Sequence, residues 1–153
     1  TIRMDRNSLS GDIWTEIYKS DDGGKTWQYL SRPTEFGAPA QPLLLGDGRV
    51  ALVYTYRLPP YGIRAIISDD QGLTWGPEII VRDDGGSWDL GYSRAWEAEP
   101  GKIGALYYFN DKDDPIQVNP GTSLIYDGAA GRMANAPWGA GGVRYIARSF
   151  FSV

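Results

Sequence analysis

Ser20-Asp21-Asp22-Gly23-Gly24-Lys25-Thr26-Trp27 returns 48 residues later as Ser68-Asp69-Asp70-Gln71-Gly72-Leu73-Thr74-Trp75, with six of the eight positions identical. A repeat of this kind fixes architecture more firmly than local propensity does. The shared pattern is S-x-D-x-G-x-T-W, and its chemistry is that of a turn. Asp22 and Asp70 are suited to accept hydrogen bonds from backbone N–H groups of the turn, and the Ser and Thr hydroxyls to close it. Gly24 and Gly72 permit positive φ. Trp27 and Trp75 each offer a large ring for burial between neighbouring sheets. A strand-like run precedes each copy, at 13–19 and 62–67, and another follows, at 28–30 and 78–81. Each box therefore reads as the turn of a hairpin.

Further out, Leu45-Gly46-Asp47-Gly48-Arg49-Val50-Ala51-Leu52-Val53-Tyr54 matches Ala98-Glu99-Pro100-Gly101-Lys102-Ile103-Gly104-Ala105-Leu106-Tyr107 at an offset of 53 residues. Both read as strand, tight turn, strand. Gly62-Ile63-Arg64-Ala65-Ile66 is echoed by Gly142-Val143-Arg144-Tyr145-Ile146. Together these define a four-stranded antiparallel unit, complete over 36–83, with strands predicted near 39–45, 49–56, 62–68 and 78–81. Residues 1–35 read as the end of such a unit, with strands near 2–5, 13–20 and 27–30. Residues 84–153 read as the start of one, with strands near 92–97, 102–109 and 143–150 and no outer strand. In 50–56 and 103–109 both alternating sets are largely apolar, the mark of a strand buried on both faces. Stacked four-stranded sheets meet that demand, and a β-propeller stacks them radially. A β-sandwich is the simpler alternative. The expectation is one all-β partial propeller domain over 1–153, with about two and a half to three blades. Residues 111–141, rich in Gly, Pro, Asp, Asn and Ala, form a loop insertion in the third unit, with a short strand predicted at 122–126. Such a loop is either a binding element or a plain surface excursion.

Composition narrows the chemistry. The 153 residues include 20 Gly, 10 Pro, 6 Trp and 10 Tyr, a mixture that favours short strands and tight turns. Without Cys there is no disulfide or thiol nucleophile, and without His no Ser-His-Asp triad. A net charge of −4 disfavours nucleic-acid binding, and no apolar run approaches the ~18–20 residues that cross a bilayer. Neither a cofactor nor a metal is expected; the Asp-Asp-Gly-Gly runs at 21–24 and 83–86 lack the ligand spacing of a calcium loop. The chain opens at Thr1 with no visible secretory leader. Chemistry must rest on carboxylates, Tyr, Lys, Arg or hydroxyls.

The S-x-D-x-G-x-T-W pattern resembles the Asp-box, or BNR repeat, of the sialidase (neuraminidase) superfamily, whose six-bladed propellers carry it on their hairpins. The resemblance covers the chain outside 111–141 and fits the C-terminal half of such a propeller. It implies a glycoside hydrolase acting on terminal sialosides or other glycans at the propeller centre. Three arginines would clamp the sugar carboxylate, a Tyr ionised by a Glu would be the nucleophile, and a separate Asp the acid/base. Planar guanidinium groups suit a carboxylate, and a Tyr nucleophile avoids setting a carboxylate against an anionic sugar. Carried over residue by residue, Gly91-Tyr92-Ser93-Arg94 followed by Ala105-Leu106-Tyr107 makes Tyr92 the candidate nucleophile, with Arg94 an added basic neighbour. Arg57 or Arg64, and Arg3 or Arg6, are the candidate carboxylate-binding arginines, and Asp89 in the loop before Tyr92 is the candidate carboxylate. The echo of Arg64 in Arg144 also fits a repeated structural role.

The segments that would hold the first Arg, the acid/base Asp and the Glu partner of Tyr have no counterpart in this sequence. A full ring needs roughly twice this length, at ~40–50 residues per blade. Three readings stay open: a sialidase-like hydrolase portion, a non-catalytic propeller segment binding glycan or protein, and a partial propeller completed by self-association at its open edge. The expected partner is a glycan. The resemblance leans towards a secreted or extracellular setting.

Overall fold

The β-branched and aromatic runs become strands and the Gly- and Asp-rich stretches between them become turns. The computed structural model describes residues 2–5, 13–87, 89–110, 122–127, 132–137 and 144–153, with side chains from residue 14 onward in the segments outside 122–137. The first sheet has the order β1 (Ile2–Asp5), β2 (Ile13–Lys19), β3 (Gln28–Thr34). The second runs β4 (Ala40–Leu44), β5 (Val50–Tyr56), β6 (Tyr61–Ser68), β7 (Ile79–Gly85). In the third, β9 (Lys102–Phe109) lies between β8 (Gly91–Glu99) and β12 (Tyr145–Ser152). A separate hairpin pairs β10 (Thr122–Asp127) with β11 (Arg132–Pro137). All these pairings are antiparallel.

The second sheet is the middle layer. Its central strand has Ala51, Leu52, Val53, Tyr54 and Thr55 all buried, as a run apolar on both faces requires. One face, with Ala51, Val53, Ile63 and Ala65, packs on Leu90, Ile103, Ala105, Tyr107 and Phe109 of the third sheet and its approach. The other, with Leu52, Tyr54 and Ile66, packs on Ile17 of the first sheet and on Trp75. Each such aliphatic or aromatic side chain, fully buried, contributes about 1.5–3 kcal/mol over leaving it exposed. Thr15 ties the first two sheets by donating its hydroxyl to the Gly37 carbonyl at 2.6 Å.

The two Asp-containing turns form the same hydrogen-bond cage. Asp22 accepts from the Thr26 hydroxyl at 2.7 Å and from its N–H at 2.9 Å; Asp70 accepts from Thr74 at 2.6 and 2.8 Å. Ser20 and Ser68 each bridge to the carboxylate and accept the N–H of Gly24 or Gly72, both glycines at positive φ. The tryptophans differ. Trp75 is half-buried and donates Nε1–H to Ser31 Oγ at 3.0 Å, while the Ser31 hydroxyl donates to the Gly72 carbonyl, so this turn is seated on the first sheet. Trp27 is not buried between sheets: 61% of its surface is exposed, and its Nε1–H returns to the Gly24 carbonyl of its own turn. Among the described residues no sheet lies alongside this turn to receive the ring.

Three more expectations need correction. Strands β3, β7 and β12 lie further along the chain than their hydrophobic cores suggested. The insertion holds a second strand, β11, as well as the predicted first. The echo of Arg64 in Arg144 is not a structural equivalence. Tyr54 pairs with Arg64 and its repeat partner Tyr107 pairs with Ala147, so Ala147 occupies the place of Arg64.

Candidate functional site

The connections β5–β6, β7–β8 and β9–β12 all meet at one end of the stacked sheets, and the candidate residues meet there with them. Asn110, fully buried at the end of β9, organises this end. Its Nδ2 donates to Ser87 Oγ at 3.1 Å and to the Asp89 carbonyl at 2.7 Å, while its Oδ1 accepts the Ser87 N–H at 2.8 Å. One amide thus satisfies the backbone of the connection into β8.

That connection delivers Asp89. Its Oδ1 accepts the Tyr108 hydroxyl at 2.6 Å, and its Oδ2 accepts from Arg144, with Nε at 2.9 Å and Nη2 at 2.6 Å. Burial, and then the Asp89 carboxylate holding the proton, push the Tyr108 phenol up to about 12. Tyr108 is therefore a neutral donor at ordinary pH. Asp89 is bound on both oxygens and serves to position Tyr108 and Arg144.

Two residues further on, β8 carries Tyr92 outward. Gly91 has φ 113° and lies so close to Thr55 that a Cβ there would be 1.7 Å from Oγ1, so only glycine fits, and Tyr92 follows at φ 49°. The β8–β9 register shifts between Gly91 and Arg94, so the positive-φ pair forms an irregularity at the start of the strand. The Tyr92 ring is 60% exposed, stacked on Tyr108 with centroids 5.9 Å apart and planes at 26°. Arg57 reaches over it from the end of β5, Cζ 6.0 Å from the ring centroid, its Nε anchored on the Ala38 carbonyl at 2.8 Å. Beside Tyr92, a cleft of about 160 Å³ is lined by Pro39, Ala40, Gln41, Ser93 and Arg94. Arg94 is exposed and forms no ion pair among the described residues. A larger hollow of about 460 Å³ lies at the other end of the sheets, walled by Asp47, Glu97 and Glu99.

Tyr92, Arg57, Arg94 and Asp89 lie together at this end. Arg64 is not with them. It is 2% exposed, pairs with Glu78 at 3.2 Å, donates to the carbonyls of Arg82 and Pro60 and lies over Tyr56, so it holds β6 and β7 together beneath the surface. The Arg3 side chain and Arg6 lie outside the described residues. Sequence reasoning missed Tyr108 and Asn110, which look like ordinary strand-end residues, and read Arg144 only as an echo. The polar Asn ending an otherwise apolar strand was the available signal. Among the described residues no carboxylate contacts the Tyr92 hydroxyl, and no cluster of three or more Asp or Glu is arranged to hold a metal. No described helix is long and apolar enough to cross a membrane.

No protein-family model matches the chain, and no curated protein does. Over 96% of its length it is similar to a crystallised protein of unknown function from Dyadobacter fermentans DSM 18053, at 31% identity and a TM-score of 0.60. It is also similar to two structures of an ulvan lyase of polysaccharide lyase family PL25. One, bound to -[GlcA(1-4)Rha3S]-, matches over 65% of the chain at 17% identity and a TM-score of 0.51. The other matches over 92% at 15% identity and a TM-score of 0.57. The ulvan lyase likeness is one of fold, that of a carbohydrate-active enzyme. The chain spans 33%, 24% and 30% of the lengths of these proteins.

Proposed function

We propose that this chain is the glycan-binding portion of an all-β carbohydrate-active protein, and that it recognises an anionic sugar with Tyr92, Arg57 and Arg94. The observation that carries this is an exposed tyrosine ring, held out at positive φ, with one guanidinium over it and a second beside it free of any described carboxylate. A flat ring packs against the apolar face of a pyranose, and guanidinium groups take carboxylate or sulfate bidentately. Tyr108 and Arg144 extend the donor set, oriented by Asp89. Fold likeness to a lyase bound to a uronate and sulfated-rhamnose fragment agrees with that ligand class. Within this reading the two caged turns are Asp-boxes that shape the sheets, and the stack is part of a propeller; a secreted setting goes with it.

Binding is better supported than sialidase-like hydrolysis. A tyrosine nucleophile needs a carboxylate to take its proton, and Asp89 already has both oxygens engaged. The test is a glycan array probed with the purified chain, including neutral, uronate, sulfated and sialylated oligosaccharides. Retention on anionic glycans, weakened at least ~10-fold by Tyr92→Ala and by Arg57→Ala and reduced by salt, is expected. No retention, or retention untouched by both variants, overturns the reading.

A further inference from the structure

The seam between the second and third sheets holds a polar group that the fold does not use. Along the start of β8 burial alternates, with Gly91, Ser93 and Ala95 turned in and Tyr92 and Arg94 exposed. Ser93 is 6% exposed, and its Oγ is a buried hydroxyl without a hydrogen-bond partner. Buried polar side-chain atoms are nearly always paired, so an orphan of this kind needs a reason. Thr55 Oγ1, also unpaired, finds one in packing, since it is pressed onto Gly91. Ser93 instead lines the cleft beside Tyr92.

The repeat shows that packing does not ask for this hydroxyl. Gln41 pairs with Val53 in the second sheet, and 53 residues later Arg94 pairs with Leu106 in the third. Ser93 therefore takes the place of Ala40, which packs on the core of Leu52, Tyr54 and Ile66 with a methyl group alone. Nor does the neighbouring amide serve it. Gln41 crosses the seam from β4 to Ala95, accepting its N–H at 2.8 Å and donating to its carbonyl at 3.3 Å, and so fixes the β4 wall of the cleft. At the rim, Arg94 is exposed and forms no ion pair among the described residues. No described carboxylate lines the cleft. A guanidinium and an unpaired hydroxyl donor together suit an oxyanion. At about 160 Å³ the cleft falls below the ~300 Å³ lower end of small-molecule pockets, a size for one substituent of a sugar ring.

We propose that the carboxylate or sulfate of a bound sugar seats in this seam, held by Arg94 at the rim and by Ser93 Oγ at the floor, and that Ser93 sets the preference for charged over neutral glycans. The sugar ring stays on Tyr92; the inference rests on the glycan reading above. A hydroxyl donates more strongly to an anion than to a neutral oxygen, so its loss falls on the charged ligand. The test takes an oligosaccharide backbone that the glycan array retains, ended in glucose, glucuronate or glucose 6-sulfate. Each is titrated into the wild-type chain and into Ser93→Ala, and both proteins are unfolded in urea. Wild type is expected to favour at least one charged probe, and Ser93→Ala to weaken that probe ~10-fold while leaving the glucose-ended one unchanged. Whichever charged probe loses affinity identifies the group as carboxylate or sulfate. The urea midpoint of Ser93→Ala is expected to hold or rise, because a buried hydroxyl without a partner has been removed. Wild type without charge preference overturns the proposal, and so does a preference that survives Ser93→Ala. A Ser93→Ala chain with a lowered midpoint and all three probes weakened alike also overturns it, since the hydroxyl is then a packing group. An array that retains nothing removes the glycan reading and this subsite together, whereas a preference untouched by Ser93→Ala removes the subsite alone.

Discussion

Tyr92 occupies a backbone conformation that disfavours any side chain with a Cβ. At φ 49° its Cβ crowds the following carbonyl, which costs a non-glycine residue about 1–2 kcal/mol. The surroundings impose that conformation. Gly91 is pressed onto Thr55, Asn110 fixes the approach through Asp89, and Arg57 and Tyr108 bracket the ring. Strain kept at an exposed aromatic beside guanidinium groups is the pattern of a functional position. Tyr92→Ala and Tyr92→Gly both discard the ring, but only Ala keeps the Cβ. Tyr92→Gly is therefore expected to be more stable than Tyr92→Ala by about 1 kcal/mol in urea unfolding, while both lose glycan retention. Equal stabilities, or the reverse order, would show that the backbone here is unstrained.

At the scale of elements, the two Asp-containing turns were legible because their hydrogen-bond chemistry is local: Ser, Asp, Gly and Thr act within eight residues, so the pattern and the cage coincide. The central strand β5 was equally legible, since a run apolar on both faces has one explanation. What failed was non-local. Nothing within the first box distinguishes Trp27 from Trp75; burial depends on whether a sheet lies alongside. The site was readable in part for the same reason. Tyr92, Arg57 and Asp89 stand near strand ends, but Tyr108 and Arg144 join them only through β9–β12 pairing across the insertion. The cages also set a pH response. Bonds from the Thr26 or Thr74 hydroxyl, then from the backbone N–H, hold Asp22 and Asp70 down at about 2, against 3.8 for a free side chain. Each therefore contributes stability that is complete above pH ~4 and disappears as pH falls through about 2. Thermal melts between pH 5 and 2 (chosen to span that window) are expected to show this loss, flattened in the Asp22→Asn/Asp70→Asn variant. Asp70→Asn alone is expected to lower the neutral-pH melting temperature more than Asp22→Asn, because only the second turn is seated on a neighbouring sheet. Identical losses would deny that seating a role.

For the whole molecule, the two inter-sheet seams are unequal. Between the second and third sheets the core is continuous from Leu45 through Val53, Ile63 and Leu90 to Phe109, with flanking side chains from β7 and β12. Between the first and second sheets it shrinks to Leu52, Tyr54 and Ile66, met by Ile17 and Trp75 and supplemented by hydrogen bonds from Thr15 and Ser31. Buried apolar surface supplies most of the resistance to local opening, so the sheet with the thinner seam belongs to the low end of the stability range. The β2–β3 pairing adds to this, since its register shifts twice between Thr15 and Tyr18 and interrupts the ladder. Native-state hydrogen exchange is expected to release the amides of β2 and β3 ~10–100-fold faster than those of β5, β6 and β9. Uniform protection across all three sheets would mean that the thin seam is stronger than its few side chains allow.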